Sequence, residues 1–181
     1  MGVLKLILGP MYSGKSTELI RIYNKYSIKK KVLVINHSSD TRYGKNKVIT
    51  HNNNNIYSVS LDNLIQFKNN INEYQVILID EGQFFNDLYD FCKFISDTTE
   101  KTIYIFGLSG DFKRNKFGQI LDLIPICDDI KHLKSICNNC SDLNEASFTC
   151  RIDNSNNKQI SVGSTEQYIP VCRNCWLKYN T

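Results

Sequence analysis

Gly9-Pro10-Met11-Tyr12-Ser13-Gly14-Lys15-Ser16 spells G-x-x-x-x-G-K-[ST], the pattern of a phosphate-binding loop. Ahead of it Val3-Leu4-Lys5-Leu6-Ile7-Leu8 is short, apolar and β-prone. Behind it, from Thr17 to about Ser27, Leu19, Ile20, Ile22, Tyr23 and Tyr26 recur at helical spacing. A glycine-rich loop between a strand and a helix presents backbone N–H groups and the positive end of the helix to phosphates. Lys15 is then expected at the β/γ oxygens of a nucleotide, and the Ser16 hydroxyl on Mg²⁺.

Strand and helix patterns continue to alternate, as a parallel α/β sheet requires. Val32 to Asn36 reads as a second buried strand, and residues 37–55, polar and rich in Asn, as a long loop. Ile56 to Val59 reads as a short strand, and Leu61, Leu64, Ile65, Lys68 and Ile71 as a weak helix. Val76-Ile77-Leu78-Ile79-Asp80 is the most strongly apolar strand. A helix bearing Leu88, Phe91, Cys92 and Ile95 follows, with Asn86 or Asp87 near its N-cap, and then a strand from Thr102 to Gly107. The expected fold is α/β, a P-loop parallel sheet flanked by helices over residues 1–135, with a small zinc-binding C-terminal domain over 136–181.

The apolar strand ends in Asp80-Glu81-Gly82-Gln83. Asp80 is placed to bring a carboxylate to Mg²⁺, and Glu81, one residue on, to accept a proton from an attacking hydroxyl or water. Farther along, Cys137-Asn138-Asn139-Cys140 and Cys172-Arg173-Asn174-Cys175 supply four thiolates, the ligand set of a structural Zn²⁺. The 31 residues between the pairs would form a loop closed at its base by the metal. Cys92 and Cys127, in apolar contexts, are expected as buried core thiols, and Cys150 as a non-ligand.

Composition narrows the function classes. A net charge of +4 arises from 17 Lys and 5 Arg spread along the chain, and the Lys29-Lys30-Lys31 run reads as a solvated helix end, so no nucleic-acid partner is expected. No stretch reaches the roughly 18 apolar residues of a membrane span, and the N-terminus enters a strand without a signal-peptide pattern. Seven cysteines without a disulfide framework fit the cytoplasm. The residues alone leave three readings open: a kinase, an ATP hydrolase, and a zinc-ribbon binding module that uses ATP as a switch.

Together these motifs resemble the type II thymidine kinases. The resemblance is carried by Gly9 to Glu18, Asp40-Thr41-Arg42-Tyr43, Asp80-Glu81-Gly82-Gln83-Phe84-Phe85, Leu108-Ser109-Gly110-Asp111-Phe112, Glu145-Ala146-Ser147-Phe148-Thr149, and the two cysteine pairs in order. The compact poxvirus members are most similar. The resemblance implies transfer of the γ-phosphoryl of ATP to the 5′-hydroxyl of thymidine, with Mg²⁺ and a structural Zn²⁺. It implies Glu81 as general base, Arg42 beside the phosphates, and Asp40 and Gln83 among the nucleotide-binding residues. Met11, Phe84, Leu108 and Phe112 would line the nucleoside pocket. Thr149, Ile160, Ser161, Val162, Gly163 and Tyr168 would belong to a lasso over the base, where fixed backbone groups tell thymine from cytosine. It further implies a homotetramer, with dTTP a candidate feedback inhibitor and deoxyuridine a candidate second substrate. Three departures are Ser164 after Gly163, where the family has a second glycine, a longer segment between Cys140 and Glu145 than in close relatives, and Ser109 in place of Asp.

Overall fold

The computed structural model describes residues 1–39, 47–49, 55–152 and 167–180. Its elements run β1 (Val3–Gly9), α1 (Lys15–Ser27), β2 (Val32–His37), β3 (Lys47–Ile49), β4 (Asn55–Tyr57), β5 (Val59–Leu61), β6 (Val76–Ile79), α2 (Leu88–Thr98), β7 (Thr102–Leu108) and β8 (Asp129–His132). The C-terminal part adds β9 (Ser135–Ile136), β10 (Glu145–Ala146), β11 (Phe148–Arg151), β12 (Tyr168–Val171) and α3 (Arg173–Asn180).

Six strands form one parallel sheet in the order β5-β2-β6-β7-β1-β8. Alternation along each strand sends side chains to opposite faces. Leu4, Leu6 and Leu8 of β1 join Ile77 and Ile79 of β6 beneath Leu88, Phe91, Cys92 and Ile95 of α2. Ile7, Val76, Leu78 and Phe106 face the other way, onto Leu19, Ile20 and Ile22 of α1. The inner strands β1, β2, β6 and β7 are thus buried on both faces, which is why they read as near-continuous apolar runs, whereas the edge strand β8 is exposed. All six strands point the same way, so the phosphate loop, Asp80 and the turn after Leu108 emerge at one end of the sheet, where ligands of open α/β folds bind.

Four expectations need correction. Within the stretch read as loop, β3 pairs with β4 as an antiparallel ribbon. The strand expected at 56–59 is split at Ser58: β4 serves the ribbon while β5 joins β2 in the main sheet. The buried Ser58 hydroxyl donates to Asn36 Oδ1 at 3.0 Å and fixes that switch of partners. The helix expected around 61–71 is a 3₁₀ segment, Ile65–Asn70, held by buried Leu64 and Ile71 on either side. Cys92 is buried as expected, whereas Cys127 is only half-buried, its thiol turned to the carbonyl of Ile124. Asp87 does sit at the N-cap of α2, but its carboxylate accepts from the N–H of Ile65 and makes no cap hydrogen bond. Among the described residues no helix is long and apolar enough to cross a membrane.

Candidate active site

Backbone geometry builds the phosphate loop. A Cβ on Gly9 would lie 2.5 Å from Ser13 Oγ and 2.7 Å from the carbonyl of Leu133, so only glycine fits there. Tyr12 and Gly14 both take positive φ, 61° and 83°, which turns the chain sharply before α1 begins at Lys15. Lys15 is buried, its ammonium donating to the carbonyls of Pro10 at 2.7 Å and Gly9 at 3.3 Å. The Ser13 hydroxyl is buried without a hydrogen-bond partner among the described residues. An unsatisfied donor in a loop of N–H groups at a helix N-terminus suits an anionic oxygen, so the residues present fit a nucleotide phosphate.

The acid pair stands at the end of β6. Asp80 is pinned by its N–H to the carbonyl of Ile35 at 2.8 Å, and its Oδ1 accepts the N–H of Glu81 at 3.1 Å. Glu81 is buried and left-handed, φ 50° and ψ 45°, a conformation that costs a non-glycine residue energy and clusters at functional sites. Its Oε2 accepts from Gln83 Nε2 at 2.6 Å, while Gln83 Oε1 accepts from the N–H of Leu108 at 3.1 Å. Gln83, expected among the nucleotide-binding residues, therefore uses both ends of its amide to tie Glu81 to the end of β7. Gly107 and Gly118 leave the space it occupies, because a side chain on either would run into Gln83.

Of the residues expected at the nucleoside, several come together. Phe84 is half-buried, edge-on to Phe117 at 5.5 Å. Phe112 lies 6.3 Å from Tyr168, with the Arg151 guanidinium 5.5 Å from its ring. Thr149 is buried and its Oγ1 accepts from the N–H of Met11 at 3.0 Å, so the C-terminal ribbon grips the phosphate loop directly. Ser135 adds a second tie, its hydroxyl donating to the carbonyl of Tyr12. Asp40, Arg42, Ile160, Ser161, Val162 and Gly163 lie outside the described residues. Sequence reading missed Trp176, the single tryptophan, whose indole N–H donates to the carbonyl of Phe112 at 2.9 Å. Its place directly after Cys175 was the available signal.

The four cysteines expected at zinc converge: the Sγ atoms of Cys137, Cys140, Cys172 and Cys175 all lie within 4.8 Å of one another. Cys140 Sγ is 3.7 Å from Cys172 Sγ and 3.4 Å from Cys175 Sγ, near the roughly 3.8 Å edge of a tetrahedron of thiolates about 2.3 Å from Zn²⁺. None is in a disulfide. Burial opposes ionisation of Cys137, but the backbone N–H groups of Cys172, Asn139 and Cys140 outweigh it and lower its thiol to about 6. The donor set fits a structural zinc. Cys150 is buried nearby yet outside the cluster.

Comparison with known proteins extends this picture over nearly the whole chain. The thymidine kinase family matches residues 2–176. The thymidine kinase of Yaba monkey tumor virus (strain VR587) is 39% identical over 180 residues, covering 99% of this chain and 97% of its own. That of vaccinia virus (strain Western Reserve) is 38% identical over 177 residues, covering 97% of each chain. Thymidine kinase a of Arabidopsis thaliana is 39% identical over 95% of this chain and 74% of its own. Since the match takes in the phosphate loop, the Asp80-Glu81 turn and the four-cysteine cluster alike, the chain belongs to the thymidine kinase family.

Proposed function

We propose that this thymidine kinase transfers the γ-phosphoryl of ATP to the 5′-hydroxyl of thymidine, with Glu81 as general base. The observation that carries the reading is the hydrogen bond from Gln83, which holds the buried Glu81 carboxylate at the mouth of the sheet that also bears the phosphate loop. The 5′ oxygen attacks the γ phosphorus, its proton passes to Glu81, and the bond to the β–γ bridging oxygen breaks to release ADP. Lys15 and the loop N–H groups bind the phosphates and stabilise the charge that spreads over them. Ser16 and Asp80 would hold Mg²⁺, which would supply positive charge against the charge developing on the phosphates. Arg42 would approach the same oxygens, with Asp40 on the same segment.

Met11, Phe84, Leu108, Phe112, Thr149 and Tyr168 would hold the nucleoside, and residues 160–163 would cover its base. Closure excludes water, which separates a kinase from a hydrolase. Residues 1–135 form the kinase domain in this reading and 136–181 a zinc-and-lasso domain, the zinc being structural because four thiolates leave no open position. Cytoplasmic location, assembly as a homotetramer, inhibition by dTTP and use of deoxyuridine belong to the same reading, supported by family membership. Incubation of the protein with ATP, Mg²⁺ and a panel of nucleosides tests it: dTMP should form from thymidine and nothing from deoxycytidine.

A further inference from the structure

In the sheet β1 lies between β7 and β8, so the turn after β7 and the segment leaving β8 both stand beside the phosphate loop. Between them and the C-terminal ribbon lies a cavity of about 560 Å³. Neither Lys15, Glu81, Phe84 nor Phe112 lines it, and of the residues assigned to phosphotransfer it shares only Thr149.

Its charges do not cancel. Lys134 and Glu145 pair with each other at 2.6 Å, and Asp111 Oδ1 accepts the N–H groups of Lys113 and Asn115 in its own turn. Arg114 and Arg173 also line the cavity, and neither has a carboxylate partner among the described residues. Both guanidiniums sit over the same ring, Phe148, at 5.5 Å and 5.1 Å, and Arg114 lies 3.6 Å from the Trp176 ring. Stacking restrains a guanidinium through its face and leaves its N–H edge available. His132, surface-exposed on the same wall, is held below the usual histidine value, foremost by partial desolvation, with Lys134 and Lys15 adding to the lowering.

We propose that this cavity binds a phosphate-bearing anion, clamped by Arg114 and Arg173. A single carboxylate satisfies one guanidinium fork, whereas a tetrahedral phosphate has oxygens for two. The volume leaves room for an attached group as large as a sugar. Such an occupant would touch Thr149, whose hydroxyl holds the N–H of Met11 in the phosphate loop. The proposal does not depend on which nucleoside the enzyme phosphorylates.

The test uses the full chain with thymidine, Mg²⁺ and a non-hydrolysable ATP analogue at saturation, so that phosphate cannot report the loop. Inorganic phosphate and, separately, ribose 5-phosphate are titrated in while the His132 ring is followed by NMR. A saturable shift from the free ion, the ester or both is expected, with His132 then titrating at higher pH. The Arg114→Gln/Arg173→Gln double variant should bind at least about tenfold more weakly at unchanged metal content. Glu145→Gln, which leaves both arginines in place, should bind more tightly. No saturable response to either probe, an undiminished response in the double variant, or weaker binding in Glu145→Gln would overturn the proposal.

Discussion

Glu81 combines burial, a left-handed backbone and a hydrogen bond from Gln83 at 2.6 Å. Replacing its carboxylate by an amide keeps the shape and removes the proton acceptor. Glu81→Gln should therefore lower kcat by at least about 10²-fold while the thymidine KM changes little. Steady-state kinetics check this, and a kcat near that of the native enzyme would assign Glu81 to positioning only. Gln83→Met removes the partner and keeps the bulk. It should reduce kcat less than Glu81→Gln does, because Glu81 keeps its carboxylate and loses only the Gln83 donor that orients it. Both acids were legible in the sequence as the end of an apolar strand. The role of Gln83 was not, since it depends on Gly107 and Leu108, more than 20 residues away in sequence and adjacent only once the sheet has formed.

At the scale of elements, strands with both faces buried announce themselves as apolar runs, and β1, β2, β6 and β7 lie where the pattern put them. The errors fall where tertiary contacts decide the structure. Ser58 switches the chain between two sheets, and the 3₁₀ turn owes its form to Leu64 and Ile71, which anchor it to the core. Helix α3 connects the cysteine cluster to Phe112 through Trp176. Trp176→Phe removes the indole donor and keeps an aromatic ring. It should raise the thymidine KM several-fold with metal content and ATP affinity intact, as equilibrium binding of each substrate would reveal. On α1, Glu18 is lowered to about 2, foremost by its hydrogen bond from Arg21 against the opposing effect of burial, with Lys131 adding to the lowering. Because its folded value lies below the unfolded one near 4.5, its stabilising contribution is complete above about pH 4.5 and is lost as pH falls toward 2. Glu18→Gln should accordingly be less stable at pH 7 and flatter across that acidic window, by thermal melts.

For the whole molecule the loop motif, the acid pair and the cysteine spacing were enough to indicate a kinase-type α/β fold with four converging cysteines. The coupling between the parts was not legible. Thr149 holding Met11, Ser135 holding Tyr12 and Trp176 holding Phe112 all join residues more than 60 positions apart. These ties fasten the C-terminal part to the loop at residues 9–16 and to Phe112, and loss of metal should be felt at both. Cys172→Ser should release zinc and raise the thymidine KM while ATP binding survives, as metal analysis with binding assays would establish. Phosphotransfer to a nucleoside would require the loop, the Glu81 carboxylate and the C-terminal part to act together. Its most direct test follows ADP and dTMP simultaneously in a reaction with ATP, Mg²⁺ and thymidine. The two products should appear in equal amounts, with negligible ADP release in the absence of thymidine; ADP formed without dTMP, at a rate indifferent to thymidine, would mark a hydrolase instead of a kinase.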